Sequence, residues 1–272
     1  MIRRILVPID LSDYSIVTIH YALAIAQVVE AKSIQVIHVF TPQTTGDALT
    51  IPPVGQLMND REEMLKQFVA KHAADTDLSV AAELKLGLAV DVIVEESNHF
   101  DLLVMGCQGE TDLIEEVFGS VSSNVAQQAH CPALLVPKRA TFADYRNIMY
   151  ASDNISLSRR AVLKLMDFTE LFHARVHFVH VNDGSPRNTG DREKLFAPLF
   201  SNPNPEFPFE IAEVEADSVH EGIKSYLNQH PIDLSIMVTR KRGFWARLFH
   251  RSETKQFALH PETPLMVFHL ED

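Results

Sequence analysis

The chain has 272 residues, of which 46% are hydrophobic, and a formal net charge of -12. That length is too great for one typical domain and suits two, and the acidity argues against a general nucleic-acid binder, because phosphates repel such a chain at long range. No apolar run approaches the roughly 20 residues that span a bilayer, and two cysteines, Cys107 and Cys131, argue against a disulfide scaffold and for a reducing cytoplasm.

The opening segment, Met1 to Pro8, has two basic residues before a short apolar stretch. A secretory signal needs a longer apolar region and a small-residue cleavage site, so the segment reads as a strand. In the first half, strands are expected near 3–9, 33–39, 79–86, 101–105 and 132–136. Helices are expected near 14–30, 57–75, 90–98 and 120–129. Ile16, Ile19, Leu23 and Ala26 recur at helical spacing, and Asp13 is placed to cap that helix. Leu102-Leu103-Val104-Met105 is apolar at every position. A strand needs that only where helices cover both faces of a parallel sheet. Strand–helix alternation then implies right-handed crossovers and an α/β, doubly wound sheet.

The second half repeats the first. Ile5-Leu6-Val7-Pro8-Ile9-Asp10 reads like Ile148-Met149-Tyr150-Ala151-Ser152-Asp153. Ile37-His38-Val39 matches Val179-His180-Val181, and Asp101 to Met105 matches Asp233 to Met237. Cys131 to Val136 matches Thr263 to Val267. Four matches in one order mark an internal duplication. The expected domains are 1–140 and 146–272, with a linker near Lys138–Tyr145. Two proline-rich loops, Thr41–Pro53 and Asn182–Pro208, are long enough to be mobile or to act as lids. Charge is uneven: residues 1–138 hold 8 Lys/Arg against 18 Asp/Glu, and residues 139–272 hold 16 against 18.

After the fourth strand comes Gly106-Cys107-Gln108-Gly109, then nine residues, then Gly119-Ser120-Val121-Ser122. Such a loop leaves the carboxyl end of a parallel strand and enters a helix. Open α/β sheets bind ligands at that edge. Glycines let backbone N–H groups approach an anion, the helix start adds favourable partial charge, and the Ser120 and Ser122 hydroxyls can donate. A Walker-type phosphate loop and a Rossmann dinucleotide fingerprint are both absent from the sequence.

The spacing Gly-x2-Gly-x9-Gly-Ser, with Asp10 at a strand end and Ile37-His38-Val39 on the second strand, resembles the universal stress protein family in its tandem form. The resemblance covers both halves over nearly their whole length. It implies two tandem domains, each a five-stranded parallel sheet flanked by helices, of the adenine-nucleotide alpha-hydrolase-like type. It implies ATP or AMP, with Mg²⁺ for the triphosphate, held at the base by Asp10 and Val39. Gly106, Gly109, Gly119, Ser120 and Ser122 would hold ribose and phosphates. Pro8, Ile9, Met105 and Val121 would supply backbone or apolar walls. It also implies pairing of the two halves as an intrachain pseudo-dimer through their last strands, with homodimerisation as a further expectation.

Several alternatives stand beside that reading. Glu110, Asp112, Glu115 and Glu116 lie between the glycines and oppose a triphosphate. The loop then either holds a nucleotide or is an empty structural loop beside a solvated acidic face. In the second half, Val238, Lys241 and Arg251 stand where the first has Gly106, Gly109 and Gly119, so only the first half is expected to bind. The segment 240–251 mixes Arg and Lys with Phe244, Trp245, Leu248 and Phe249. It reads as a helix packing its aromatic face, as a phosphate or acidic-lipid site, or, least well, as a nucleic-acid contact. His38 and His180 read as architectural. No metal-ligand cluster and no catalytic residue is visible, and Cys107 is a redox candidate only if exposed.

Overall fold

The computed structural model describes residues 2–41, 54–74, 76–107, 119–152, 166–182, 184, 208–239 and 263–269. Gly109, the acidic segment 110–116, Asp153, most of both proline-rich loops and the basic segment 240–251 lie outside the described residues. The chain divides into two compact units, Met1–Phe142 and Ala143–Asp272.

In the first unit the elements are β1 (Arg4–Ile9), α1 (Asp13–Val28), β2 (Ser33–Phe40), α2 (Val54–His72) and β3 (Ser79–Leu86). They continue with α3 (Ala89–Ser97), β4 (Leu102–Gly106), α4 (Ser120–Gln128) and β5 (Ala133–Val136). The strands lie in the order β3-β2-β1-β4-β5, and every pairing is parallel. The four residues from Leu102 to Met105 and the five from Ile5 to Ile9 are all buried. Helices therefore cover both faces, as the unbroken apolar runs require. The order reverses between β1 and β4. Their carboxyl ends diverge there, and that is where such sheets leave a crevice.

The second unit holds β6 (Asn147–Ser152), β7 (Arg175–Asn182), β8 (Phe209–Glu215), α5 (Val219–Gln229), β9 (Leu234–Thr239) and β10 (Leu265–His269). Its order is β8-β7-β6-β9-β10, again parallel throughout. Residues 166–170 are helical. Ser218 caps α5, its hydroxyl accepting the Glu221 N–H at 3.2 Å. Gly222 lets α5 approach the sheet closely: a Cβ there would sit 2.4 Å from Val181 Cγ1. Both units are thus five-stranded doubly wound α/β sheets, as the sequence implies. Among the described residues no helix is long and apolar enough to cross a membrane.

Two local expectations need correction. Ser12, not Asp13, takes the cap position of α1, and its side chain makes no cap bond to the helix. The buried face of α1 is Ser15, Thr18, Ile19, Tyr21, Ala22, Ile25 and Ala26. Ile16 and Leu23 are only partly buried. Ile19 and Ala26 are buried, and the helix is apolar over so much of its circumference that spacing alone does not separate them from Ile16 and Leu23.

Candidate functional site

A cleft of about 210 Å³ opens in the first unit at the crevice between β1 and β4. Pro8, Ile9 and Asp10 line it from the end of β1, Val39 from β2, and Met105 and Gly106 from the end of β4. Gly119, Ser120, Val121 and Ser122 line it from the start of α4. These are all the nucleotide-site residues expected from sequence except Gly109, which lies outside the described residues.

Asp10 organises the floor. Its Oδ1 accepts the Ser12 N–H at 3.0 Å, the Ser12 hydroxyl at 2.6 Å and the Ser15 hydroxyl at 2.9 Å. Those bonds hold the turn in which Leu11 has φ 65, a left-handed conformation that costs a branched side chain about 1 kcal/mol. The carboxylate therefore shapes the entry to α1 as well as presenting charge to the cleft.

The other wall is the start of α4. Gly119 sits at its cap position with φ -61 and ψ 155 and offers no side-chain cap. The first-turn N–H groups of a helix have no intrahelical acceptor, and such a start is an anion site when it faces a cleft. No acidic residue lies in that first turn. Gly119 has an ordinary extended backbone, so glycine is not demanded there by a positive φ. The Ser122 hydroxyl donates to Cys107 O at 2.6 Å, is 3.0 Å from Gly119 O, and is buried. Its proton ties α4 to the end of β4, leaving the more exposed Ser120 as the hydroxyl for a ligand.

The cleft has further walls that the sequence reading does not name: Tyr14, Ser15 and Thr18 from α1, His38 from β2, and Ala89 and Ile93 from α3. His38 is buried, with Nδ1 2.9 Å from Ile9 O. An acceptor at that distance makes Nδ1 the protonated nitrogen. The histidine is architectural and a cleft wall at once. Its duplication one residue before Val39 is the signal that could have placed it there. In the second unit His180 holds the same register position, but among the described residues its Nδ1 has no hydrogen-bond partner. Val238 likewise holds the register position of Gly106.

Neither thiol belongs to this chemistry. Cys107 is buried and burial pushes its pKa well above the ordinary value. Cys131 is pushed up to about 12, chiefly by burial and then by the Asp101 carboxylate. Among the described residues no group of three or more His, Cys, Asp or Glu side chains gathers around a metal position.

The parallel order 3-2-1-4-5, with its cleft at the reversal and an uncapped helix start on one wall, defines an α/β protein of the doubly wound class. The sequence model of the universal stress protein family matches residues 1–137 and again residues 144–269. The chain belongs to that family, in its tandem form. It is 32% identical over 145 residues to universal stress protein MJ0531 of Methanocaldococcus jannaschii, a match covering 50% of this chain and 82% of that one. A segment of 81 residues is 33% identical to universal stress protein Rv2005c of Mycobacterium tuberculosis, spanning 30% of this chain and only 26% of that protein. Among solved structures, a universal stress protein from Archaeoglobus fulgidus superposes with a TM-score of 0.73 at 17% identity, covering 97% of each chain. A putative universal stress protein from Pseudomonas aeruginosa gives 0.59 at 17% identity, covering 98% of this chain and 93% of that one. These two likenesses bear on the fold.

Proposed function

We propose that the first half binds one adenine nucleotide, ATP or AMP, in the β1–β4 cleft and that the protein is a nucleotide-dependent regulator or interaction module of the cytoplasmic stress response, not a catalyst. The observation that carries this reading is the uncapped start of α4 facing a cleft floored by Asp10 and walled by Gly106 and Gly119. In this reading Asp10 and Val39 hold adenosine, and the amides of Gly119 to Ser122 hold phosphate. With no metal-ligand cluster among the described residues, Mg²⁺ enters with the triphosphate it neutralises. Domain boundaries at 1–140 and 146–272 belong to the same proposal. So does an intrachain pseudo-dimer, which the duplication supports, with or without homodimerisation.

The rival reading is a nucleotide-free interaction module. It is favoured by Glu110, Asp112, Glu115 and Glu116 in the sequence between the glycines. Calorimetric titration with ATP and AMP, with and without Mg²⁺, separates the two. One equivalent bound per chain supports the first reading. Two equivalent sites would remove the asymmetry, and no heat at any concentration would leave the nucleotide-free module. Mass spectrometry of ligand carried by the native protein gives an independent answer.

A further inference from the structure

We propose that Lys138 is the phosphate-neutralising cation of this cleft and sets its preference for a polyphosphate tail; the proposal rests on the nucleotide reading above. Among the described residues lining the cleft the only full charge is the Asp10 carboxylate, and neither Lys nor Arg is present. A phosphate chain held by helix amides is bound more strongly where a cation stands nearby.

Lys138 is placed to be that cation. Gly106 is paired with Val136, and the Cys107 N–H donates to Val136 O at 3.0 Å. The chain leaving β5 therefore emerges beside the glycine wall, and Lys138 is two residues further on. Its Nζ lies 3.7 Å from the centroid of the Tyr14 ring, and Tyr14 lines the cleft. Lys138 is only partly buried. An ammonium on an aromatic face is held weakly and reversibly, and a lysine carries a compact charge on a flexible stem. The ring parks the ammonium at the cleft wall, and a phosphate oxygen is the stronger partner to which it transfers.

The second half lost both members of the pair together. By the β1–β6 correspondence Tyr14 becomes Leu157, and by the β5–β10 correspondence Lys138 becomes Leu270. At these sequence positions the half that keeps the glycines has a tyrosine and a lysine, and the half that lacks them has two leucines. A bond serving only to fasten α1 to the sheet would have the same use in either half.

The test is calorimetry of the full chain with ATP, AMP and adenosine. The parent is compared with K138M, which keeps the apolar stem, and with K138Q and K138R. ATP affinity is expected to fall about tenfold in K138M and K138Q, AMP less, and adenosine to stay within about twofold. The ATP loss shrinks as salt is raised, and K138R restores it. Equal losses for adenosine and ATP would make Lys138 a fold clamp, and no loss would make it a bystander; either overturns the proposal while leaving the nucleotide site standing. A parent that binds neither adenosine nor ATP overturns both.

Discussion

Asp101 fastens β4 to the head of β1 through Arg4: its Oδ2 accepts the Arg4 N–H at 2.9 Å while its own N–H donates to Arg4 O at 2.9 Å. The same Oδ2 takes the Arg3 N–H at 2.9 Å. Asp233 repeats the arrangement in the second unit, accepting the N–H groups of Arg146 and Asn147 at 2.8 Å each. The aspartate that opens the fourth strand of each half is thus a clip on the central strand pair. The crevice that carries the candidate site opens at the other end of that pair.

Asp101→Ala should lower stability by about 1–2 kcal/mol, because two backbone donors lose a charged acceptor at a partly exposed site. Asp101→Asn should cost less, since an amide oxygen still accepts. Asp233→Ala should behave alike in the second unit. Urea unfolding of the variants measures this. Unchanged midpoints for both alanine variants would mean that water replaces the clip at no cost.

The sheet is legible in the sequence because its strands are buried on both faces. A run such as Leu102 to Met105 has few other uses, and the expected strands of the first half end within one residue of the observed ones. The backbone edge of the cleft is legible too: Asp10 and Gly106 stand where apolar runs stop, and Gly119 follows from its spacing to Gly106. The walls from α1 and α3 are not. Ser15 and Thr18 are buried polar residues on the inward face of α1, and a reading by apolar spacing, which names Ile16, Ile19, Leu23 and Ala26, passes over them. Ser15 is inward because Asp10 takes its hydroxyl, and no spacing rule contains that bond. Tyr14 and Lys138 are 124 positions apart in the sequence, and only the β4–β5 pairing brings the end of β5 to the cleft.

The second unit should weaken in acid. His177 is held below its ordinary value of 6.5, first by burial, with the Glu210 carboxylate pulling the other way and His230 adding to the decrease. The unfolded chain then takes a proton near pH 6.5 that the folded chain takes only at lower pH. Stability is therefore complete above 6.5 and is lost as pH falls from there toward the folded value. His220 is shifted in the same direction by burial, so His177→Gln should remove part of the slope. Denaturant midpoints measured between about pH 5 and pH 8 read it directly. A His177→Gln slope as steep as the parent's would assign the acid sensitivity elsewhere.

Both cysteines should be inert in the native protein. Cys107 and Cys131 are buried, and burial raises both thiols. The thiolate is the reactive form, so iodoacetamide at about pH 8 should modify neither until denaturant is added. Rapid native modification of Cys107 would show that the loop following β4 opens, and would restore the redox reading its position first invited.

Gly119→Val separates the cleft from the fold. Valine adopts φ -61, ψ 155 without strain, so nothing in the backbone forbids the change. Gly119 is not buried in the core. Replacing glycine by valine at a helix cap costs on the order of 1 kcal/mol, so the unfolding midpoint should move little. The two γ-methyls, however, project from a residue that lines the cleft and begins α4. They would take the volume through which a phosphate reaches the helix amides. Nucleotide binding should therefore be lost to the limit of calorimetric detection, and Gly119→Ala should fall between. Asp10→Ala offers the contrast. It should weaken binding by roughly 1–3 kcal/mol. It should also lower stability, because the Ser12 and Ser15 bonds and the Leu11 turn go with it. If Gly119→Val binds ATP as the parent does, phosphate does not approach the start of α4. The cleft would then remain a feature of the fold without the function proposed for it.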